Sequence, residues 1–210
     1  MARDAVTYHG RMSRWQPGAR ERLERAALQL FAEQGFAATT VPQITQRAGL
    51  TTRTFFRHFA DKREVLFGND EMLRLAAAPI AEAPPDADPA ALIIDSLTAF
   101  AEAHLEGRRT EIRQRREIIR SDEGLRERDL RKRDAVSEAV RDALARRGLP
   151  AVTAAMLAGT SATLFSVALQ EWLDSDDDRT LAGIMLDGMQ ALRAALGHVP
   201  GPPPAATQRP

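Results

Sequence analysis

The sequence contains no cysteine, which excludes disulfides, thiolate metal ligands and a cysteine nucleophile together. Histidine is scarce: the four residues, at positions 9, 58, 104 and 198, include no pair at metal-ligand spacing. Aromatics make up 5% of the chain, with a single tyrosine. No run of eighteen apolar residues occurs, and the opening MARDAVTYHGRMSRWQPG is dotted with arginine and has no apolar segment. These absences predict a cytoplasmic protein that makes no membrane contact. No glycine-rich phosphate loop is present, and no nucleophile, base and orienter can be assembled from the spacing. The expectation is a protein that is not an enzyme and carries no cofactor or metal. Strand-like alternation is missing as well, which leaves an all-α fold.

What is present is a chain of 210 residues, 44% hydrophobic and 28% charged, enough for one large or two small domains with a real core. Its net charge is zero, but unevenly spread: Lys plus Arg against Asp plus Glu is 11 to 6 in residues 1–67, 1 to 8 in 68–107, 11 to 6 in 108–133 and 6 to 9 in 134–210. A basic head on a neutral or acidic body fits a protein that touches DNA at one end. The other basic stretch, 108–133, places its acids at helical spacing from its bases: Glu111 with Arg115, Arg113 with Glu117, Glu127 with Arg131, Asp129 with Arg133. That pattern predicts self-paired, solvated helix faces.

Residues 39–67, TTVPQITQRAGLTTRTFFRHFADKREVLF, hold three helix starts in close succession. Thr40 and Gln43 form a capping box for a helix from Val41 to about Ala48. Ala48-Gly49-Leu50-Thr51 supplies a small contact, a turn glycine, an apolar anchor and a second hydroxyl cap. A second helix runs from Thr52 to about Phe59, and Asp61 with Glu64 opens a third. In the second helix Phe55 and Phe59, four apart, must pack. Thr51, Thr52, Arg53, Thr54, Arg57 and His58 are left to face outward, and hydroxyl and guanidinium donors are what phosphates and base edges take up. This is the layout of a DNA-reading helix-turn-helix.

Leu23, Ala27, Leu30 and Phe31 predict a first helix over 19–34, ended by Gly35. The helix opened by Asp61 is expected to continue to about Ala78, with Pro79, Pro84, Pro85 and Pro89 enforcing a break. Asp88 and Pro89 cap a helix to about Leu105, and further helices are expected at about 109–121, 123–147, 151–173 and 178–196, about nine in all. The domain reading is a disordered tail at 1–16, whose Arg3, Arg11 and Arg14 could follow DNA, and a DNA-binding domain at 17–78. A ligand-binding and dimerisation domain follows at 86–197, then a disordered tail at 198–210. The segment 151–173 is apolar or small nearly all round, and burying it with 178–196 is simplest against a symmetry mate, giving a homodimer.

Other sites are weaker. Asp174, Asp176 and Asp178 imitate a calcium loop, but Arg179 and Met185 stand where Gly and Glu are required, so a connecting loop with Asp178 as helix cap is the reading. His104 reads as a structural histidine near a helix end.

The run Ala48, Gly49, Leu50, Thr51, then Thr54, Phe55, Phe56, Arg57, His58, Phe59 and Lys62 resembles the tetracycline-repressor-like family of bacterial transcription regulators over residues 19–70. The resemblance implies that Thr52 and Arg53 read bases with help from Arg57, while Thr40, Thr51, His58 and Lys62 hold phosphates. Phe56 replaces the family's usual Tyr and keeps only apolar contact with sugar or a thymine methyl. The resemblance further implies a ligand-responsive regulator, most often a repressor, on a palindromic double-stranded operator. It would be a homodimer through 151–173 and 178–196, released by a small, often apolar, effector. Phe100, Ile119, Met156 and Phe165 are candidates for the effector cavity. The competing reading is an all-helical small-molecule-binding or adaptor protein whose DNA head has degenerated.

Overall fold

The computed structural model describes residues 18–67 and 71–197, and among these every regular element is a helix. There are ten: α1 Ala19–Gln34, α2 Val41–Ala48, α3 Thr52–His58, α4 Glu64–Phe67, α5 Glu71–Glu82, α6 Pro89–His104, α7 Arg109–Ser121, α8 Glu123–Arg146, α9 Ala151–Asp174 and α10 Leu181–Gly197. Residues 1–16 and 198–210, with Arg3, Arg11 and Arg14, lie outside the described residues, as do 68–70. The chain separates into two compact units, Met1–Phe67 and Gly68–Pro210.

In the first unit α1 buries Leu23, Ala27, Leu30 and Phe31, the apolar stripe its spacing predicts. Phe55 and Phe59 of the α3 region are 0% and 1% exposed, and Ile44 and Val65 are fully covered. The aromatic rings meet in tilted pairs, Phe31 on Phe36 at 5.1 Å and Phe55 on Phe59 at 5.3 Å, arrangements the ring quadrupole favours. α4 starts where Asp61 accepts from the Glu64 amide at 2.8 Å.

The second unit departs from expectation in two places. The helix expected from Asp61 to about Ala78 is described as two elements, α4 to Phe67 and α5 from Glu71, and α5 runs through Pro79 to Glu82. Proline removes one helical donor, yet Ile80 is 1% exposed and fastens the last turn into the body. The carbonyls left over are taken by Arg147, which donates to Ile80 O at 3.2 Å, Ala83 O at 2.7 Å and Pro84 O at 2.6 Å. The proline-rich segment is therefore bound to the end of α8, and α5 lies with the second unit rather than with the first.

The other departure is the start of α10, which is Leu181, with Thr180 as cap in place of Asp178. Thr180 Oγ1 accepts from the Gly183 amide at 3.0 Å, and the Glu106 carboxylate reaches across to the Leu181 amide at 2.8 Å. In the preceding loop Asp177 accepts from Arg179 Nε at 2.8 Å, and Arg109 donates to the Asp177 backbone carbonyl at 2.8 Å and to Ser175 Oγ at 2.7 Å.

α9 is long and apolar enough to cross a bilayer by length and composition, but it packs one side into the body, burying Ala154, Ala158, Ala168, Leu169, Trp172 and Leu173. Its other side carries Val152 at 71% exposure, Met156 at 68% and Val167 at 61%. Met156 thus lines neither a cavity nor the core, contrary to its place among the pocket candidates. Ile119 is buried, and Phe100 and Phe165 meet edge to face at 6.1 Å. His104 is exposed and stacks on Phe100 at 4.9 Å.

Candidate nucleic-acid interface

α2 and α3 are short helices fixed at their starts by local sequence. Thr40 accepts from the Gln43 amide at 3.4 Å while the Gln43 carboxamide accepts from the Thr40 amide at 2.8 Å, a complete capping box. Gly49 closes α2 at φ 63°, a left-handed conformation cheap only for glycine. The Arg22 Nη2 atom would lie 3.0 Å from a Cβ at that position, so a side chain there would meet both strain and a guanidinium. Thr51 caps α3, accepting from the Thr54 amide at 3.1 Å and sharing a hydroxyl contact with Thr54 at 2.9 Å.

With Phe55 and Phe59 pinned inward, α3 presents Thr52, Arg53, Phe56 and Arg57 to solvent, and their 3- and 4-residue spacings put them on one face. Phe56 is 55% exposed, and its ring stands edge-on to Phe55 at 5.4 Å and 85°. A ring held outward in this way is an apolar contact surface between two arginines. Thr40 and Thr51 are exposed at the helix N-termini on either side of the turn, and Thr54 is half-buried beneath them.

Two of the residues assigned to phosphate do not join this face. Lys62 Nζ donates to Phe36 O at 2.6 Å, Thr39 O at 2.7 Å and Ala37 O at 3.3 Å, and it lies 4.3 Å from the centre of the Phe36 ring. An ammonium has three donors, and here they go to the turn between α1 and α2. His58 is half-buried, and its Nε2 is covered without a protein partner; its carbonyl accepts from Arg20 Nη1 at 3.5 Å. Both residues shape the head instead of extending its outer surface.

Sequence reasoning also missed how α1 braces the motif. Arg22 donates to Ala48 O at the C-terminus of α2, and the Arg20 guanidinium lies 4.7 Å over the Phe59 ring. Cations at helix C-termini satisfy leftover carbonyls and oppose the helix dipole. Arg47 pairs with Glu33, and this hydrogen bond, with the accompanying charge attraction, holds the Glu33 carboxyl below its usual pKa. Much of the head's positive charge is therefore internal bracing. Arg53 and Arg57 are the cations that α3 itself turns outward.

The family model described as bacterial regulatory proteins of the tetR family matches residues 24–67. The regulator TcmR of Streptomyces glaucescens is 54% identical over 46 residues, 22% of this chain and 20% of that protein. The chain thus matches about a fifth of the length of this relative. Over the whole fold, a putative TetR-family regulator from Syntrophomonas wolfei superposes with a TM-score of 0.60 at 17% identity, covering 86% of this chain and 96% of its own. The FadR repressor of Thermus thermophilus, solved with lauroyl-CoA, gives 0.50 at 23% identity over 89% and 98%. At those identities the structural likeness speaks to fold alone.

Proposed function

We propose that this protein, whose N-terminal unit is a helix-turn-helix head of the tetracycline-repressor family, is a cytoplasmic transcriptional regulator, a repressor that binds a palindromic operator as a homodimer and responds to a small molecule. The observation that carries the reading is the face of α3, the helix that Thr51 caps, where Thr52, Arg53, Phe56 and Arg57 stand exposed together. Arg53 and Thr52 read bases, Arg57 assists, Phe56 supplies apolar contact, and the two threonines with Thr54 meet phosphate at the helix starts. Lys62 and His58 act one step back, by holding the motif in shape.

The dimer reading rests on α9 and α10. Besides Val152, Met156 and Val167, α10 exposes Leu186 at 45% and Leu196 at 62%, so two adjacent helices carry a shared apolar surface. Gly159 lies on the exposed side of α9, and a Cβ there would meet nothing within the chain. Glycine inside a helix costs about 1 kcal/mol relative to alanine, and close approach of a second backbone would account for it. The effector role is supported by the likeness in fold to FadR, a repressor solved with an acyl-CoA.

Fluorescence anisotropy on duplex DNA at several salt concentrations tests the DNA reading. Arg53→Ala should cut discrimination between operators by roughly 1 to 3 kcal/mol, and Arg57→Ala should lower the salt slope by about one unit on every sequence. Equal, salt-insensitive affinity in wild type and both variants would reject the proposal in favour of an all-helical binding or adaptor protein.

A further inference from the structure

α3 turns two rows of side chains outward. Thr52 and Phe56 stand four residues apart along one row, Arg53 and Arg57 along the next, and all four are exposed. No aspartate or glutamate occurs between Thr39 and Ala60, so the surface is cationic and hydroxyl-bearing apart from one ring. Phe56 is 55% exposed, whereas Phe31, Phe36, Phe55, Phe59 and Phe67 of the same unit are all buried. A single apolar residue at a surface is ordinary, but this one is fixed. Its ring stands edge-on to Phe55 at 5.4 Å and 85°, and Phe55 is itself fully buried. Phe56 therefore loses little side-chain freedom when a partner covers it.

Chemistry limits what can cover it. A phenyl ring offers no hydrogen bond, and pressing it on a phosphate oxygen or on a base-edge nitrogen or oxygen strips that atom of water without replacement. Deoxyribose carbons line the walls of the groove, whereas Phe56 stands beside Arg53 on the face assigned to base edges. Among the groups that base pairs present in the major groove, the apolar one is the C5 methyl of thymine. Cytosine lacks it unless methylated, and 5-methylcytosine carries the same methyl on the same carbon.

We propose that Phe56 reads a pyrimidine C5 methyl group, borne by thymine or by 5-methylcytosine, at one base pair of each half-site. The inference deepens the DNA reading of α3 and rests on it; it adds a dependence on methylation that the arginines and threonines do not supply.

Fluorescence anisotropy tests it, with the full chain and a duplex that the chain selects from a random pool, each thymine being replaced singly by deoxyuridine to remove the methyl alone. At one position per half-site the wild type should bind about fourfold more weakly, the worth of one buried methyl. With a C·G pair at that position, methylating the cytosine at C5 should strengthen binding by the same factor. Phe56→Ala should bind methylated and unmethylated duplexes equally, and Phe56→Leu should fall between. Both variants should keep the salt slope, since no charge is lost, and the helical circular dichroism, since the ring is exposed. Equal affinity of the wild type for thymine and deoxyuridine at every position, or for cytosine and 5-methylcytosine, would overturn the proposal and leave the DNA reading standing. Methyl dependence undiminished in Phe56→Ala would also overturn it, by assigning the methyl to another side chain of α3. A chain that selects no duplex fails the DNA reading and this inference with it.

Discussion

Lys62 joins its ammonium to three carbonyls from the turn between α1 and α2, while Arg57 extends into solvent from α3; the two cations carry the same formal charge and do different work. Replacing Lys62 with Met leaves those carbonyls without their donor. Hydrogen bonds to charged groups are worth about 1.5 to 3 kcal/mol, and only part of this is lost where water can substitute. Lys62→Met should therefore lower the unfolding free energy of the head by about 2 kcal/mol in denaturant titration, with the salt slope of DNA binding unchanged. A slope reduced by about one unit at unchanged stability would return Lys62 to the phosphate-contacting set. Phe56, set edge-on against Phe55, leaves an apolar ring on the exposed face of α3.

At the scale of elements, helix boundaries were legible at most local caps. Thr40 with Gln43, Asp88 with Pro89, and Gly35 mark α1, α2 and α6 where the structure puts them, because those caps act within three residues of their own helix. Caps supplied from a distance were not legible. Arg22 closes α2, Arg147 holds the end of α5 and Glu106 caps α10; an arginine or glutamate reads the same in sequence whether it meets solvent, DNA or a remote carbonyl. That is why the turn of α5 beyond Pro79 was not expected; at α10 the miss was a local one, Asp178 being preferred to Thr180 two residues on. The same ambiguity holds for Lys62, whose ammonium meets three backbone carbonyls. Amphipathic pattern was more informative for α9, whose all-round apolar composition now resolves into one side packed in the body and one exposed. If the exposed side is the dimer seam, Met156→Glu should shift the molar mass in sedimentation from two chains to one while helical circular dichroism is kept. Persistence of the dimer would move the seam elsewhere.

For the molecule as a whole, the ion pairs set a direction for pH dependence. Glu33 is held below its usual pKa chiefly by the hydrogen bond from Arg47. Asp177 is lowered first by its hydrogen bond from Arg179. At Glu111 burial pushes upward, but the hydrogen bond and charge of Arg108, with Arg115, bring the net shift downward. Carboxyls depressed in the folded state add stability that is complete above the unfolded carboxylate pKa, about 4 to 4.5, and is lost as pH falls through the folded values. The melting temperature should be nearly flat from neutral pH to about pH 5 and fall below pH 4; a fall beginning above pH 6 would contradict this assignment. The larger claim is that two basic faces act together, paired through the apolar sides of α9 and α10. Its most direct test is to sequence the duplexes that the purified full chain selects from a random pool. The account predicts an enriched inverted repeat with half-sites one helical turn, or a multiple of it, apart, and a pool with no enriched motif, or a single unrepeated one, would contradict it.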